Sequence, residues 1–321
     1  MSENLYTFAV TRLRSKELEL LNGPFIDQLI GCKTHEDCRR LLGEKGWGKP
    51  EESDEEVLRA QRQKTWELMG ELVDDLSVFD VFLYPADYHN LKTAIKMVCT
   101  GASAEGVFVE NGSIPREVIV KAVEEHDYAP LPAEMRQAAE KAFRVLLHTH
   151  DGQLCDILLD RAALSAILKA GKASGSELIA GYAERTVAAA DIKTAVRCAG
   201  MKKKKSFVQD ALAPCDSLDV SALADAAVKG VDAICEYLQY TPYADAIEQL
   251  RESPSAFERW CDDLIIREIR PQLHNPFTIG PLCAYILARE NEIKTVRIIL
   301  AGKRNGLSEE FLRERAREMY V

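Results

Sequence analysis

The chain has 321 residues, 47% of them hydrophobic and 29% charged, with a formal net charge of −10. A chain of that length buries roughly three quarters of its unfolded surface, so its stability needs no covalent staples. The acidic balance argues against a nucleic-acid binder, because neutralising phosphate requires a basic face.

Nine cysteines, scattered without a Cys-x-x-Cys pair, and no apolar run near the start fit a reduced, cytoplasmic protein. Helical periodicity then dominates along the chain, and alternation of strand type is hard to find. A break at Gly43…Gly48-Lys49-Pro50 precedes strong helix formers over 56–72. An inter-helix loop is expected around Phe82-Leu83-Tyr84-Pro85, then a helix through Asn90 to Lys96, ending at Gly101. Pro130-Leu131-Pro132 introduces helix formers over 133–147. Apolar residues at Leu154, Ile157, Leu158, Leu164, Ile167 and Leu168 mark an amphipathic helix, closed by Gly171…Gly175. Helix formers fill 219–238, and Asn275-Pro276 breaks the chain before a last long helix. The uncharged stretch 275–288 is too short for the roughly 20 residues that cross a bilayer, so no transmembrane segment is expected. The fold class is all-α.

An internal repeat organises these elements. Asn90-Leu91-Lys92-Thr93-Ala94-Ile95-Lys96, Asp191-Ile192-Lys193-Thr194-Ala195-Val196-Arg197 and Glu292-Ile293-Lys294-Thr295-Val296-Arg297 share an aliphatic-Lys-Thr core, and successive lysines lie 101 residues apart. One helical face of each copy is apolar: Leu91, Ala94, Ile95 and Val98; Ile192, Ala195, Val196 and Ala199; Ile293, Val296 and Leu300. Arg297 departs, standing where the others carry Ile95 and Val196. A second feature recurs upstream, an aliphatic residue followed five positions later by an aromatic: Leu42…Trp47, Val123…Tyr128 and Leu238…Tyr243. The expected organisation is three helical units, 1–103, 104–205 and 206–321, the middle one absorbing extra length around 151–176.

No constellation of catalytic type accompanies this pattern. Gly46-Trp47-Gly48-Lys49-Pro50 and Gly171-Lys172-Ala173-Ser174-Gly175 lack the spacing of a phosphate-binding loop and read as helix-ending turns. His148-Thr149-His150-Asp151…Cys155 has metal-ligand residue types, but histidines two apart diverge on a helix, so a helix end is expected and no metal or other cofactor. The basic run Lys202-Lys203-Lys204-Lys205 reads as a solvated helix end, with a partner or headgroup contact as the alternative. The repeated Lys92/Lys96 and Lys193/Arg197 pairs place like charges four apart, which destabilises a helix unless something offsets it. Inter-helix ion pairs, with Asp75, Glu184 or Glu268 as conceivable partners, are one reading. A surface shared with another protein is the other. Asn90, Lys92, Asp191, Lys193, Glu292, Lys294 and Arg297 are therefore the candidate structural or interface residues.

Several segments resemble one family. Asp87-Tyr88-His89-Asn90-Leu91-Lys92 and the run from Tyr285 through Arg289-Glu290-Asn291-Glu292-Ile293-Lys294 to Lys303 are similar to signature segments of the C-subunit family of V-type (archaeal/vacuolar-type) ATP synthases, equivalent to the d-subunit of vacuolar ATPases. Leu159-Asp160-Arg161, the copy at Asp191-Ile192-Lys193, and Arg313-Glu314-Arg315…Tyr320-Val321 resemble it too. The Asp-x-x-Asn of Asp87 and Asn90 becomes Ala188 and Asp191, then Arg289 and Glu292, which suits a structural role better than a shared binding triad. The resemblance implies a funnel of three pseudo-threefold helical domains. It further implies a non-catalytic socket between the D and F proteins of the central stalk and the membrane proteolipid ring, with no small-molecule substrate and no nucleic acid. Pro276-Phe277-Thr278-Ile279-Gly280-Pro281-Leu282 and the Phe82–Pro85 segment are candidate docking patches, packing at a helix junction being the alternative. A helical-repeat scaffold that binds peptides or proteins is the competing reading, although repeat units of solenoids are usually about 20–45 residues long.

Overall fold

The structure, a computed structural model, describes residues 6–49, 51–104 and 106–321. Among them every regular element is helical. In chain order these are α1 (Thr7–Glu17), α2 (Gly23–Gly31), α3 (His35–Glu44), α4 (Asp54–Leu72), α5 (Asp80–Thr100), α6 (Arg116–Glu124), α7 (Ala133–Thr149) and α8 (Gly152–Ala173). They continue with α9 (Glu177–Gly200), α10 (Lys205–Ala211), α11 (Val220–Lys229), α12 (Val231–Leu238), α13 (Ile247–Glu252), α14 (Pro254–Ile269), α15 (Gly280–Arg304) and α16 (Glu309–Arg315).

Local chemistry sets the ends. Ser53 and Glu56 form a reciprocal capping box at the start of α4. Asp151 and Ser176 start α8 and α9, each side chain accepting from the backbone of its own helix. Residues 151–176 thus hold a complete helix. His150 ends α7 in the left-handed region at φ 54°, so the His148–His150 segment is a helix end, as its spacing suggested. Gly101 ends α5 at φ 68°. The break at Gly46 and Gly48 also has positive φ, while Pro50 lies outside the described residues. Lys202 to Lys204 connect α9 to α10, with Lys203 over the Phe207 ring at 4.5 Å.

Two expectations need correction. Phe82, Leu83, Tyr84 and Pro85 do not form a loop; they lie inside α5, in its first turns. Pro85 near a helix start leaves only Val81 O without its usual donor, a loss the helix tolerates there. Residues 219–238 form two helices, because Gly230 adopts φ 125° and ψ 179° between α11 and α12.

The chain divides into two compact bodies, one comprising Met1–Leu76 with Glu248–Val321 and the other Ser77–Ile247. In the first, α15 is the central helix, with eighteen of its 25 residues buried. Its Ile293, Val296, Ile299 and Leu300 share a core with Leu29 of α2, Leu42 of α3, Leu58 of α4, Leu312 of α16 and Trp47. Each large apolar side chain so buried contributes on the order of 1.5–3 kcal/mol. Asp54 ties this body further, accepting from His35 at 2.9 Å and pairing with Arg39 and Arg304.

In the second body Leu91, Ala94 and Ile95 of α5 pack with Ile119 and Val123 of α6, Ala139 and Ala142 of α7, and Cys155 and Leu159 of α8. Helix α8 also lies against α9, closely enough that a Cβ on Gly171 would stand 2.3 Å from the Cβ of Ala183. The upstream repeat feature recurs at helix ends: Leu42, Val123 and Leu238 are fully buried at the ends of α3, α6 and α12. At the first of these, Trp47 N returns to Leu42 O at 3.0 Å, the six-to-one bond of a Schellman ending.

Candidate functional site

Lys92 lies on α5, Lys193 on α9, and Lys294 and Arg297 on α15. The aliphatic residue before each lysine is core: Leu91, Ile192 and Ile293 are at most 1% exposed. The residue before that is polar and equally enclosed, with Asn90 at 1%, Asp191 at 0% and Glu292 at 2%. An enclosed polar group costs about 1–3 kcal/mol unless it is partnered. All three find the same kind of partner, a backbone N–H of a separate segment. Asn90 Oδ1 accepts from Val109 N at 2.9 Å, and its Nδ2 donates to Val109 O at 2.9 Å. Asp191 Oδ1 accepts from Ala213 N at 2.9 Å. Glu292 Oε1 accepts from Leu21 N at 2.7 Å. The repeat position is a latch that fastens an irregular segment to a long helix.

One turn earlier the three helices diverge. Asp87 on α5 accepts from Ser113 Oγ at 2.6 Å and Ile114 N at 3.1 Å, although burial still pushes its carboxyl up. Ala188 stands at that position on α9, where burial takes Asp191 up to about 7 and its Oδ2 is enclosed without a partner among the described residues. Arg289 stands there on α15. Its Nη1 donates to Glu292 Oε2 at 2.7 Å and its Nε to Tyr285 Oη at 3.3 Å. Burial raises the Glu292 carboxyl, opposed by Arg289 and by the Leu21 N–H.

Lys92 and Lys294 reach carboxylates on adjacent helices. Lys92 pairs with Asp160 and Lys96 with Asp156 at 2.6 Å, so two like charges four apart on α5 meet two opposite charges four apart on α8. Lys294 pairs with Asp262 of α14 at 2.7 Å, and Asp262 also accepts from Arg317 Nε at 3.1 Å. The carboxylates shown for Lys92 and Lys294 are thus Asp160 and Asp262, while Glu184 accepts from Ser217 N and Oγ at 2.7 and 2.6 Å. Lys193 is half-buried on α9. Arg297 reaches Glu55 at the start of α4, at 2.8 Å. Such partly exposed pairs contribute up to about 1 kcal/mol each.

Sequence reasoning missed Asp156, Asp160 and Asp262 as partners of the lysines, because that relation is long-range, but the i, i+3 spacing of Arg289 and Glu292 was a usable signal for their pairing. Among the described residues no cluster of three or more His, Cys, Asp or Glu could hold a metal ion. No described helix is long and apolar enough to cross a membrane.

The model of the family described as ATP synthase (C/AC39) subunit matches residues 9–315. The chain belongs to that family. Curated relatives agree over nearly full length. The C-subunit of the V-type sodium ATPase of Enterococcus hirae is 21% identical, covering 96% of this chain and 97% of its own. The C-subunit of the A-type ATP synthase of Methanocaldococcus jannaschii is 24% identical, over 96% of this chain and 85% of its own. The C-subunit of the V-type ATP synthase of Thermus thermophilus is 25% identical, over 93% and 94%. As a member of this family, the chain is one component of a V-type ATPase complex, and the latched helices are part of how it is built.

Proposed function

We propose that this protein is the non-catalytic coupling element of the central stalk. It receives the foot of the stalk, formed by the D and F proteins, on one side and rests on the proteolipid ring on the other, at the cytoplasmic face of the membrane. Rotation driven by ATP hydrolysis, or by ion flow during ATP synthesis, passes through it. The observation that carries this reading is the end-to-end family match together with three signature helices devoted to packing. A torque-bearing adaptor needs stiffness, which helices packed at crystal-like density supply, and it needs no reacting group. The three units 1–103, 104–205 and 206–321, arranged as a pseudo-threefold funnel, belong to this proposal. Their boundaries fall just past α5 and at the first residue of α10.

Affinity purification of the tagged chain from gently solubilised membranes of its source cells tests the assignment. Co-purification of stalk and proteolipid proteins is expected. Recovery with unrelated soluble partners, from preparations in which the complex stays whole, would replace it with the peptide-binding scaffold.

A further inference from the structure

The third latch has a feature that its structural work does not explain. In the body that contains α15, a cavity of about 440 Å³ opens between α1, α4 and α15, a size typical of small-molecule sites. Arg289 lines it and is only 6% exposed. Two guanidinium nitrogens are committed, Nη1 to Glu292 and Nε to Tyr285, and the ring of Trp47 lies 5.8 Å from the guanidinium carbon. Nη2 has no partner among the described residues, and it is not one of the enclosed orphan atoms, so it meets the cavity. Serving as countercharge to Glu292 accounts for Nη1 and leaves Nη2 idle.

Two further cations line the same cavity without a carboxylate partner among the described residues. Lys45 Nζ lies 5.4 Å from the centroid of the Phe25 ring, and Lys64 Nζ donates to Gly46 O at 3.2 Å. Of the other lining charges, Arg12 pairs with Glu71 and Lys16 with Glu19 at 2.8 Å, while Glu67, which accepts from the Gln63 amide, keeps a negative charge on the wall. The wall thus offers one guanidinium edge and two ammoniums, in a chain whose net charge is −10. A single carboxylate would use one of them. A phosphoryl dianion uses all three, the arginine as a directed donor and the lysines as point charges. Neither α5 nor α9 can build this arrangement, because Asp87 and Ala188 stand where Arg289 does.

We propose that this cavity binds a phosphorylated small molecule. Arg289 Nη2, Lys45 and Lys64 hold its phosphoryl oxygens, and the remainder lies against Tyr285 and Leu68.

The test is calorimetric titration of the full-length chain with inorganic phosphate and with pyrophosphate, against succinate at matched ionic strength. Saturable binding of both phosphates is expected, with succinate binding more weakly. A K45A/K64A double variant, whose solvent-facing changes preserve the fold, is expected to bind pyrophosphate about tenfold or more weakly, since charge-assisted hydrogen bonds are lost. R289K, which keeps the countercharge for Glu292 but loses the fork, is expected to weaken it comparably. Absence of saturable phosphate binding, succinate binding as tightly, or unchanged pyrophosphate affinity in K45A/K64A would each overturn the proposal.

Discussion

Asn90 on α5 and Glu292 on α15 occupy the same repeat position and fasten to backbone in the same way, yet by different chemistry. The amide both donates to and accepts from Val109, so the pair is closed and neutral. The carboxylate of Glu292 accepts from Leu21 and must then be neutralised by Arg289, itself nearly enclosed. Asp191 on α9 has the carboxylate without the arginine, and burial raises it to about 7. A repeat can keep a mechanical function while changing charge, provided each copy settles its own electrostatics. The copy that recruits an arginine gains a group with a spare donor.

Four experiments probe this contrast, the strongest effect first. Placing a charge on the shared apolar face, by Ile293→Asp or Ile192→Asp, is expected to lower stability by more than about 4 kcal/mol, because the buried carboxylate has no partner. A melting temperature within a degree or two of the parent's would end the equivalence of the two helices as core elements. Next, Arg289→Leu is expected to destabilise by about 3–5 kcal/mol by stranding Glu292, whereas Asn90→Leu costs about 1–3 kcal/mol by freeing only the Val109 backbone. Equal losses in urea denaturation would mean that the ionic and neutral latches do not differ as described.

Asp191→Asn tests the middle latch. The wild-type carboxyl titrates near 3.8 when unfolded and about 7 when folded. Its folded pKa is raised, so its contribution is full below the unfolded value and is lost as pH rises through about 7. The Asn variant keeps an acceptor for Ala213 and carries no charge. It is expected to be more stable than wild type by about 1–3 kcal/mol at pH 8, with a flatter pH profile between 5 and 8. A steeper profile in the variant would contradict the assignment. The smallest effect belongs to the lysines: combined Lys92→Ala, Lys193→Ala and Lys294→Ala is expected to leave helicity intact, because exposed pairs contribute little. Unfolding of that variant by circular dichroism would show that they are integral to the fold.

Much of this architecture was legible in the sequence, and particular residues show why the rest was not. The 101-residue register located α5, α9 and α15, because periodic apolar faces report burial directly: Leu91, Ile192 and Ile293 all lie in core. Turn chemistry misled where local rules meet context. Pro85 signalled a loop but sits within α5, early enough to cost the helix a single donor. Gly230 was overlooked inside a run of good helix formers and splits it in two. The latches needed tertiary information. Nothing near Asn90 announces Val109, and nothing near Glu292 points to Leu21, 271 residues away. The departures from the motif were visible at Ala188 and Arg289, but their meaning rests on which atoms they leave unpartnered.

The most direct test of the coupling role is to strip this protein from the assembled complex in sealed vesicles and add it back, measuring ATP hydrolysis and ion transport together. Removal is expected to leave hydrolysis in the soluble head while transport stops, and wild-type chain is expected to restore it. Transport that continues unchanged without the protein would contradict the account.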